Sequence, residues 1–291
     1  MEPETVLIAG CGYVGTRLAE LLVRDGHPVL GLRRDPSGLP EGVLPVAADV
    51  SDPATLRDLP ATDAVVYAVA PGGRSDREYR TAYVDGLRNV LDALARGQAP
   101  GRVVLVSSTG VYGQADGRWV DEDTPPEPPD ATAERVLEGE AAARARGAPG
   151  IVLRLGGIYG PGRTRTVRRV VSGEAGCPAA DRYGNRIHRD DAAAAIRHLL
   201  HLPDPAPVYL GVDRAPAPLR DVYRWIADRA GVPDPCRPGA TEAGDDTGRR
   251  GSNKRCSSRR LVDSGFVFSY PTYREGYRPM IDAFGAGGDG E

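Results

Sequence analysis

TVLIAGCGYVGTRLAELLVRDG (residues 5–26) carries three signals in one stretch. TVLIAG is a short, apolar, β-branched run that stops at a glycine, the pattern of a strand buried on both faces of a parallel sheet. Val14, Leu18, Leu21 and Leu22 then recur at helical spacing, and Gly26 supplies the stop. Between strand and helix, Gly10-Cys11-Gly12-Tyr13-Val14-Gly15 fits GxGxxG. Each glycine has a physical task. The first makes the tight turn, the second lets the backbone approach a pyrophosphate, and the third lets helix and sheet pack closely. The helix N-terminus then faces the phosphates. Because strand, loop and helix agree, the stretch predicts a dinucleotide-binding fold.

Outward from this unit, strand and helix patterns alternate. HPVLGLRR, LPVAADV, DAVVYAVA, RVVLVSS and IVLRLGGIYG read as five further strands, the last with its exit loop. Residues 76–96 read as a helix with Tyr83, Leu87, Val90, Leu91 and Leu94 on one face. The expected class is α/β, a Rossmann-type doubly wound parallel sheet, with a smaller C-terminal substrate lobe. Residues 1–160 would form the dinucleotide-binding core, with 185–212 returning to it. Residues 161–284 would form mainly the substrate lobe and 285–291 a disordered tail. Further helices are expected at 164–172, 190–202 and 219–230, and a strand at 208–212. Residues 236–253, polar and rich in Gly, Asp and Arg, read as a mobile loop.

The cofactor's type is read at the end of the second strand. An NAD site wants a carboxylate there for the ribose 2′-OH. The chain instead has Leu32-Arg33-Arg34, with Asp35 only afterwards. Two guanidiniums suit a 2′-phosphate by charge and bidentate geometry, which favours NADP(H), with NAD(H) as the alternative.

The bulk numbers narrow the partners. A net charge of −3 gives no global basic field, so nucleic acid is not an expected partner. No apolar run approaches the ~20 residues of a membrane helix, and MEPETVLIAGCG enters the first strand without a signal-peptide pattern. Cys11, Cys177, Cys236 and Cys256 show no CxxC or metal-ligand spacing. Reduced thiols, no metal and a cytoplasmic location are therefore expected. Of 37 Lys and Arg residues, Lys254 alone is lysine. Codon bias is the simpler source of that skew, yet any lysine-dependent chemistry has one candidate in the whole chain.

Six segments line up in order: GCGYVGTRLA (10–19), AADV (47–50), VVLVSSTGVYG (103–113), WVDEDTPPEP (119–128), RLGGIYGPGR (154–163) and NRIHRDDAAAAI (185–196). Together they resemble the extended short-chain dehydrogenase/reductase superfamily, in its NAD-dependent epimerase/dehydratase branch. The run 253–277 looks like an atypical subgroup. The resemblance implies that the Gly10–Gly15 loop, Cys11, Tyr13 and Val14 included, holds the pyrophosphate. Asp49 and Val50 would flank the adenine. Ala68, Val69, Ala70 and Ser107 would line the cofactor, and Ser108 would be the catalytic hydroxyl that bonds the substrate oxygen. Thr109, Tyr112, Tyr159 and Arg163 are candidate substrate contacts. A small-molecule substrate and a homodimer, formed through the helices after the fourth and fifth strands, are also implied.

One part of the family pattern is missing. Its catalytic tyrosine, with a lysine four residues later, belongs at the start of the helix after the proline-rich loop. The lysine lowers the tyrosine's pKa from about 10 and bonds the nicotinamide ribose. Here that helix begins PPDATAERVLEGE, and either register places Asp130/Glu134 or Thr132/Val136 at the pair. A second departure is Tyr83, where many relatives carry asparagine. Three readings remain open. The chain is a reductase with a replacement acid (Asp130, Glu134, Tyr112, Tyr159, Tyr183 or His188), a reductase that needs no side-chain acid, or an NADP-binding sensor without turnover. Arg163, Arg165, Arg168 and Arg169 could clamp a substrate diphosphate, or form a solvated face. Lys254 could reach the pocket, or be an ordinary surface residue.

Overall fold

The computed structural model describes residues 3–145, 150–178, 182–239 and 253–286. Seven strands form its central sheet: β1 (Val6–Ala9), β2 (Val29–Arg33), β3 (Val43–Ala47), β4 (Ala64–Tyr67), β5 (Arg102–Ser108), β6 (Gly150–Leu155) and β7 (Val208–Gly211). Their order is β7-β6-β5-β4-β1-β2-β3, and every pairing is parallel. The chain runs outward from β1 to β3, then crosses back to place β4 on β1's other side. That reversal opens a crevice above the C-terminal ends of β1 and β4, where such sheets bind ligands.

Helices cover both faces. α1 (Tyr13–Arg24) and α5 (Arg189–His201) share one core with Ile8, Val66, Val104 and Leu153. α2 spans 76–95 and α3 is Ala131–Arg144. Leu87, Val90, Leu91, Leu94 and Ala143 from these helices pack on Leu7, Val65 and Leu105 of the other face. The periodicity at 76–96 predicts one regular helix. The structure has a π-helical segment inside it, Arg80–Asp85.

The C-terminal lobe is built by α4 (Arg165–Val171), α6 (Leu219–Ala230) and α8 (Tyr273–Ala286), around Val167, Val170, Val222, Ile226, Tyr277 and Ile281. Between α6 and α8, α7 (Arg259–Asp263) and the following residues leave this lobe, because Leu261, Phe266 and Phe268 are buried in the α1/α5 core. The division at 161–284 is therefore more interleaved than the sequence suggests. No lone periodicity marks this segment, since its three apolar anchors fall on a short helix and a loop.

The cysteine expectation is corrected. Cys177 and Cys236 form a disulfide with Cα atoms 4.7 Å apart, across 59 residues of sequence. They lie just beyond α4 and α6, and the packing of those helices brings their ends together. Spacing along the chain carries no trace of that proximity. Cys11 and Cys256 are free and buried. Of the expected mobile loop, 240–252 lies outside the described residues, as does 287–291 of the expected tail. Residues 285 and 286 end α8. Among the described residues, no helix is long and apolar enough to cross a membrane and no His/Cys/Asp/Glu group could hold a metal ion.

Candidate functional site

β1 ends at Ala9, the backbone turns at Gly10 with φ +87°, and α1 begins at Tyr13. The amides of Gly10 and Cys11 both donate to the Leu32 carbonyl, at 3.0 and 3.2 Å. A Cβ on Gly10 would stand 2.6 Å from the backbone of Ala68 and Val69. Glycine is thus required twice over, for its positive φ and for the close passage beside the chain leaving β4. A Cβ on Gly15 would lie 2.7 Å from the Gly10 carbonyl oxygen, so its absence lets α1 settle on β1. The first turn of α1 has no side-chain cap and no acidic residue. Its positive end is left for an anion in the crevice.

A cleft of about 730 Å³ opens there. Gly10, Cys11, Gly12, Tyr13 and Val14 line it, as do Arg33, Arg34, Asp49 and Val50. The amide and hydroxyl of Ser51 both donate to Asp49 and hold its carboxyl below the usual range. Ala68, Val69, Ala70, Ser107, Ser108 and Arg163 line it too. Gly15 faces β1 and does not line the cleft. A second cavity of about 590 Å³ adjoins, sharing Ile158 and Arg163. It carries Arg165, Arg168, Arg186 and Tyr159. The Arg163 guanidinium sits over the Tyr13 ring, 4.1 Å from its centroid, and the Tyr13 hydroxyl donates to Pro161 O at 2.8 Å. The glycine loop and the 160–163 loop are clasped together at the junction of the two cavities.

Beneath Ser107 lies a buried polar network. Arg154 Nε and Nη2 reach the two oxygens of Glu140 at 2.9 and 2.6 Å. Ser107 Oγ donates to the same carboxylate at 2.6 Å, and Arg154 Nη1 donates to the Tyr112 hydroxyl, which donates to Asp121 O at 2.7 Å. Glu140 is fully buried, on α3. This ties β5, β6 and α3 together behind the serine wall. Two of the candidate substrate contacts lie away from the cavities. Tyr112 and Thr109 are buried and line neither cavity. Val111 and Tyr112 turn inward into an apolar cluster with Val136 and Cys256 after the Thr109–Val111 turn.

The candidate replacement acids also fall outside the cofactor cleft. Asp130 caps α3, accepting from Ala133 N at 2.9 Å, and Glu134 is exposed in the first turn. Tyr183 stacks against the Arg255 guanidinium. His188 is buried beside Tyr270 and accepts from Asp190 N through Nδ1; burial lowers its pKa to about 4. Tyr159 lines only the second cavity, with its hydroxyl buried and unpartnered. Lys254 is buried, and its Nζ donates to Tyr112 O at 2.5 Å. It is an interior cation next to the buried network rather than a surface residue. Local sequence pattern does not place Tyr83, which lines the cleft with Thr81 and Ala82, or Arg186, which lines the second cavity. Tyr83's departure from the usual asparagine was the one available signal.

The model of the NAD dependent epimerase/dehydratase family matches residues 6–208. The chain belongs to that family. A solved protein from Methylobacillus flagellatus, assigned provisionally to the NAD-dependent epimerases/dehydratases, is 40% identical with a TM-score of 0.81, covering 97% of this chain and 98% of that one. Protein YeeZ of Escherichia coli K12 is 29% identical over 280 residues, 91% of this chain and 96% of YeeZ. The 2-alkyl-3-oxoalkanoate reductase of Stenotrophomonas maltophilia is 30% identical over 258 residues, 78% and 76% of the two chains. In this epimerase/dehydratase family member, Ser108 lines the cleft at the end of β5. Its Oγ accepts from Gly110 N at 3.0 Å, which fixes the side chain. Ser108→Ala is expected to lower the turnover of nicotinamide-dependent oxidoreduction at least about tenfold while cofactor affinity stays the same. Unchanged kinetics would remove Ser108 from the reaction.

Proposed function

We propose that the chain is an NADP(H)-dependent oxidoreductase acting on a small-molecule substrate held between the two cavities. The observation that carries this reading is the pair Arg33 and Arg34 at the exit of β2, both on the cleft wall where a cofactor's adenosine ribose would lie. Asp35 also borders the cleft, but its carboxylate accepts from Ser37 N at 2.9 Å. A 2′-phosphate would meet two guanidiniums there, which suits NADP(H) better than a bare ribose hydroxyl.

When bound, the nicotinamide supplies or accepts a hydride. The chain's own residues supply the rest. The first-turn amides of Tyr13 and Val14, at the positive end of α1, would bind the diphosphate, Ala68–Ala70 would pack along the ribose side, and Ser108 would orient the substrate oxygen. The arginines of the second cavity, Arg163, Arg165, Arg168 and Arg186, favour a substrate with an anionic group, of which a diphosphate is one. The reading is tested by incubating the protein with NADPH and a panel of aldehydes, ketones and enones, and following loss of NADPH together with appearance of the reduced product. At equal concentration NADPH should also raise the Tm more than NADH, since stabilisation grows as RT ln(1 + [L]/Kd). Equal shifts, with no NADPH consumed, would overturn it.

A further inference from the structure

We infer that Arg163 binds the diphosphate of the nicotinamide cofactor, so that a residue of the 160–163 loop completes the glycine-loop site. This rests on the dinucleotide-binding part of the reading above, and it gives one of the second-cavity arginines to the cofactor rather than to the substrate. A dinucleotide's diphosphate is doubly anionic. The first turn of α1 offers it the equivalent of only about half a positive charge. A cation beside that turn is therefore expected. Among the described residues, the arginines that line the cleft are Arg33, Arg34, Arg77 and Arg163. Of these, Arg163 is the one whose guanidinium lies on a ring of the glycine loop, 4.1 Å from the centroid of Tyr13. Tyr13 is the first residue of α1, and its amide belongs to the turn that faces the diphosphate. Arg165, Arg168 and Arg186 line the second cavity and not the cleft. They remain for a substrate anion.

The loop is shaped to hold the guanidinium there. Gly160 at φ +143° and Gly162 at φ +79° turn the chain, and the Arg163 amide donates to Gly160 O at 2.9 Å. A Cβ on Gly160 would stand 3.1 Å from the Tyr13 hydroxyl oxygen and 3.2 Å from His188 Nε2. Glycine thus lets the loop pass close to Tyr13, whose hydroxyl donates to Pro161 O inside the turn. The guanidinium itself has a position but no anion. It is exposed, and it makes no hydrogen bond or ion pair with any described residue. Arg189 lies over the same ring at 5.3 Å, but it pairs with Asp190 at 3.0 Å and lines neither cavity. Asp190 in turn pairs with Arg17 at 3.2 Å, so that carboxylate is already matched by two guanidiniums. Arg163 is left with its planar fork of N–H donors, which suits bidentate contact with a phosphate.

The test is calorimetric titration of wild type, Arg163→Gln and Arg163→Lys with NADP+, NAD+ and adenosine 2′-monophosphate. Both dinucleotides carry the diphosphate, while the monophosphate has the 2′-phosphate and no diphosphate. Arg163 is exposed and outside the hydrogen-bonded frame of the fold, so the variants should keep the wild-type Tm without ligand. Arg163→Gln should raise the Kd for NADP+ and for NAD+ by the same factor, at least about tenfold, the scale of one lost charge-assisted phosphate contact. Its Kd for the monophosphate should stay within about threefold. Arg163→Lys, which keeps the charge and loses the fork, should recover part of the loss. Dinucleotide affinities unaffected by Arg163→Gln overturn the inference and leave the cofactor reading intact. A loss confined to NADP+ also overturns it, because Arg163 would then serve the 2′-phosphate. An equal loss with all three probes overturns it as well, by making Arg163 a general support of the cleft. A wild type that binds neither dinucleotide overturns the oxidoreductase reading and this inference together.

Discussion

Alanine at both Arg33 and Arg34 is expected to raise the Kd for NADPH about a hundredfold while that for NADH moves by less than about threefold. Each charge-assisted hydrogen bond to a phosphate contributes roughly 1.5–3 kcal/mol, and tenfold in Kd corresponds to about 1.4 kcal/mol. The losses should fall on NADPH alone, because a ribose 2′-hydroxyl gives a guanidinium no charge to meet. Both residues line the cleft at the end of β2, and neither is enclosed, so part of the effect is screened. The titrations therefore need one fixed, low ionic strength. Equal weakening of the two cofactors would mean that the arginines support the cleft generally. No change in either would place the 2′-phosphate elsewhere.

The second large effect is on stability. Glu140→Ala should destabilise the protein by about 3–5 kcal/mol, the usual cost of leaving a buried charge without its partner. Arg154 is almost wholly enclosed and loses both carboxylate contacts, and Ser107 loses its acceptor. Against a typical total of about 5–15 kcal/mol, this is a sizeable fraction. It should appear as a lower denaturant midpoint with an unchanged slope. Glu140→Gln retains an acceptor for Ser107 and should cost less. A shift under about 1 kcal/mol for Glu140→Ala would show that water or another residue replaces the carboxylate. Because Ser107 and Ser108 end β5 together, the alanine variant should also loosen the cleft wall.

The glycine loop shows how far local pattern reaches. Gly10, Gly12 and Gly15 announce themselves because the demands on them arise within one strand–turn–helix, and the structure shows the crowding at Gly10 and Gly15, from the Ala68 backbone and the Gly10 carbonyl. Arg33 and Arg34 were legible for the same reason: they follow a strand whose end is set by a short apolar run. Tyr112 was not. Its segment matches the family's VYG, yet one 3-10 turn after Ser108 decides that Ser108 faces the cleft and Tyr112 the interior. A residue's side of a turn depends on backbone dihedrals that composition does not encode.

The sequence by itself determined the parallel sheet, the crevice at β1, the arginine pair beside it and the absence of lysine from the first 253 residues. These follow from short-range periodicity, turn chemistry and counting. Only the tertiary structure decided that Lys254 is enclosed beside Tyr112, that Cys177 meets Cys236, that Glu140 neutralises Arg154, and that a π turn sets Tyr83 in the cleft. Most of these contacts join residues 14 to 142 positions apart. Their free energy comes from burying charge and apolar surface between elements, and that is defined only once the elements have packed.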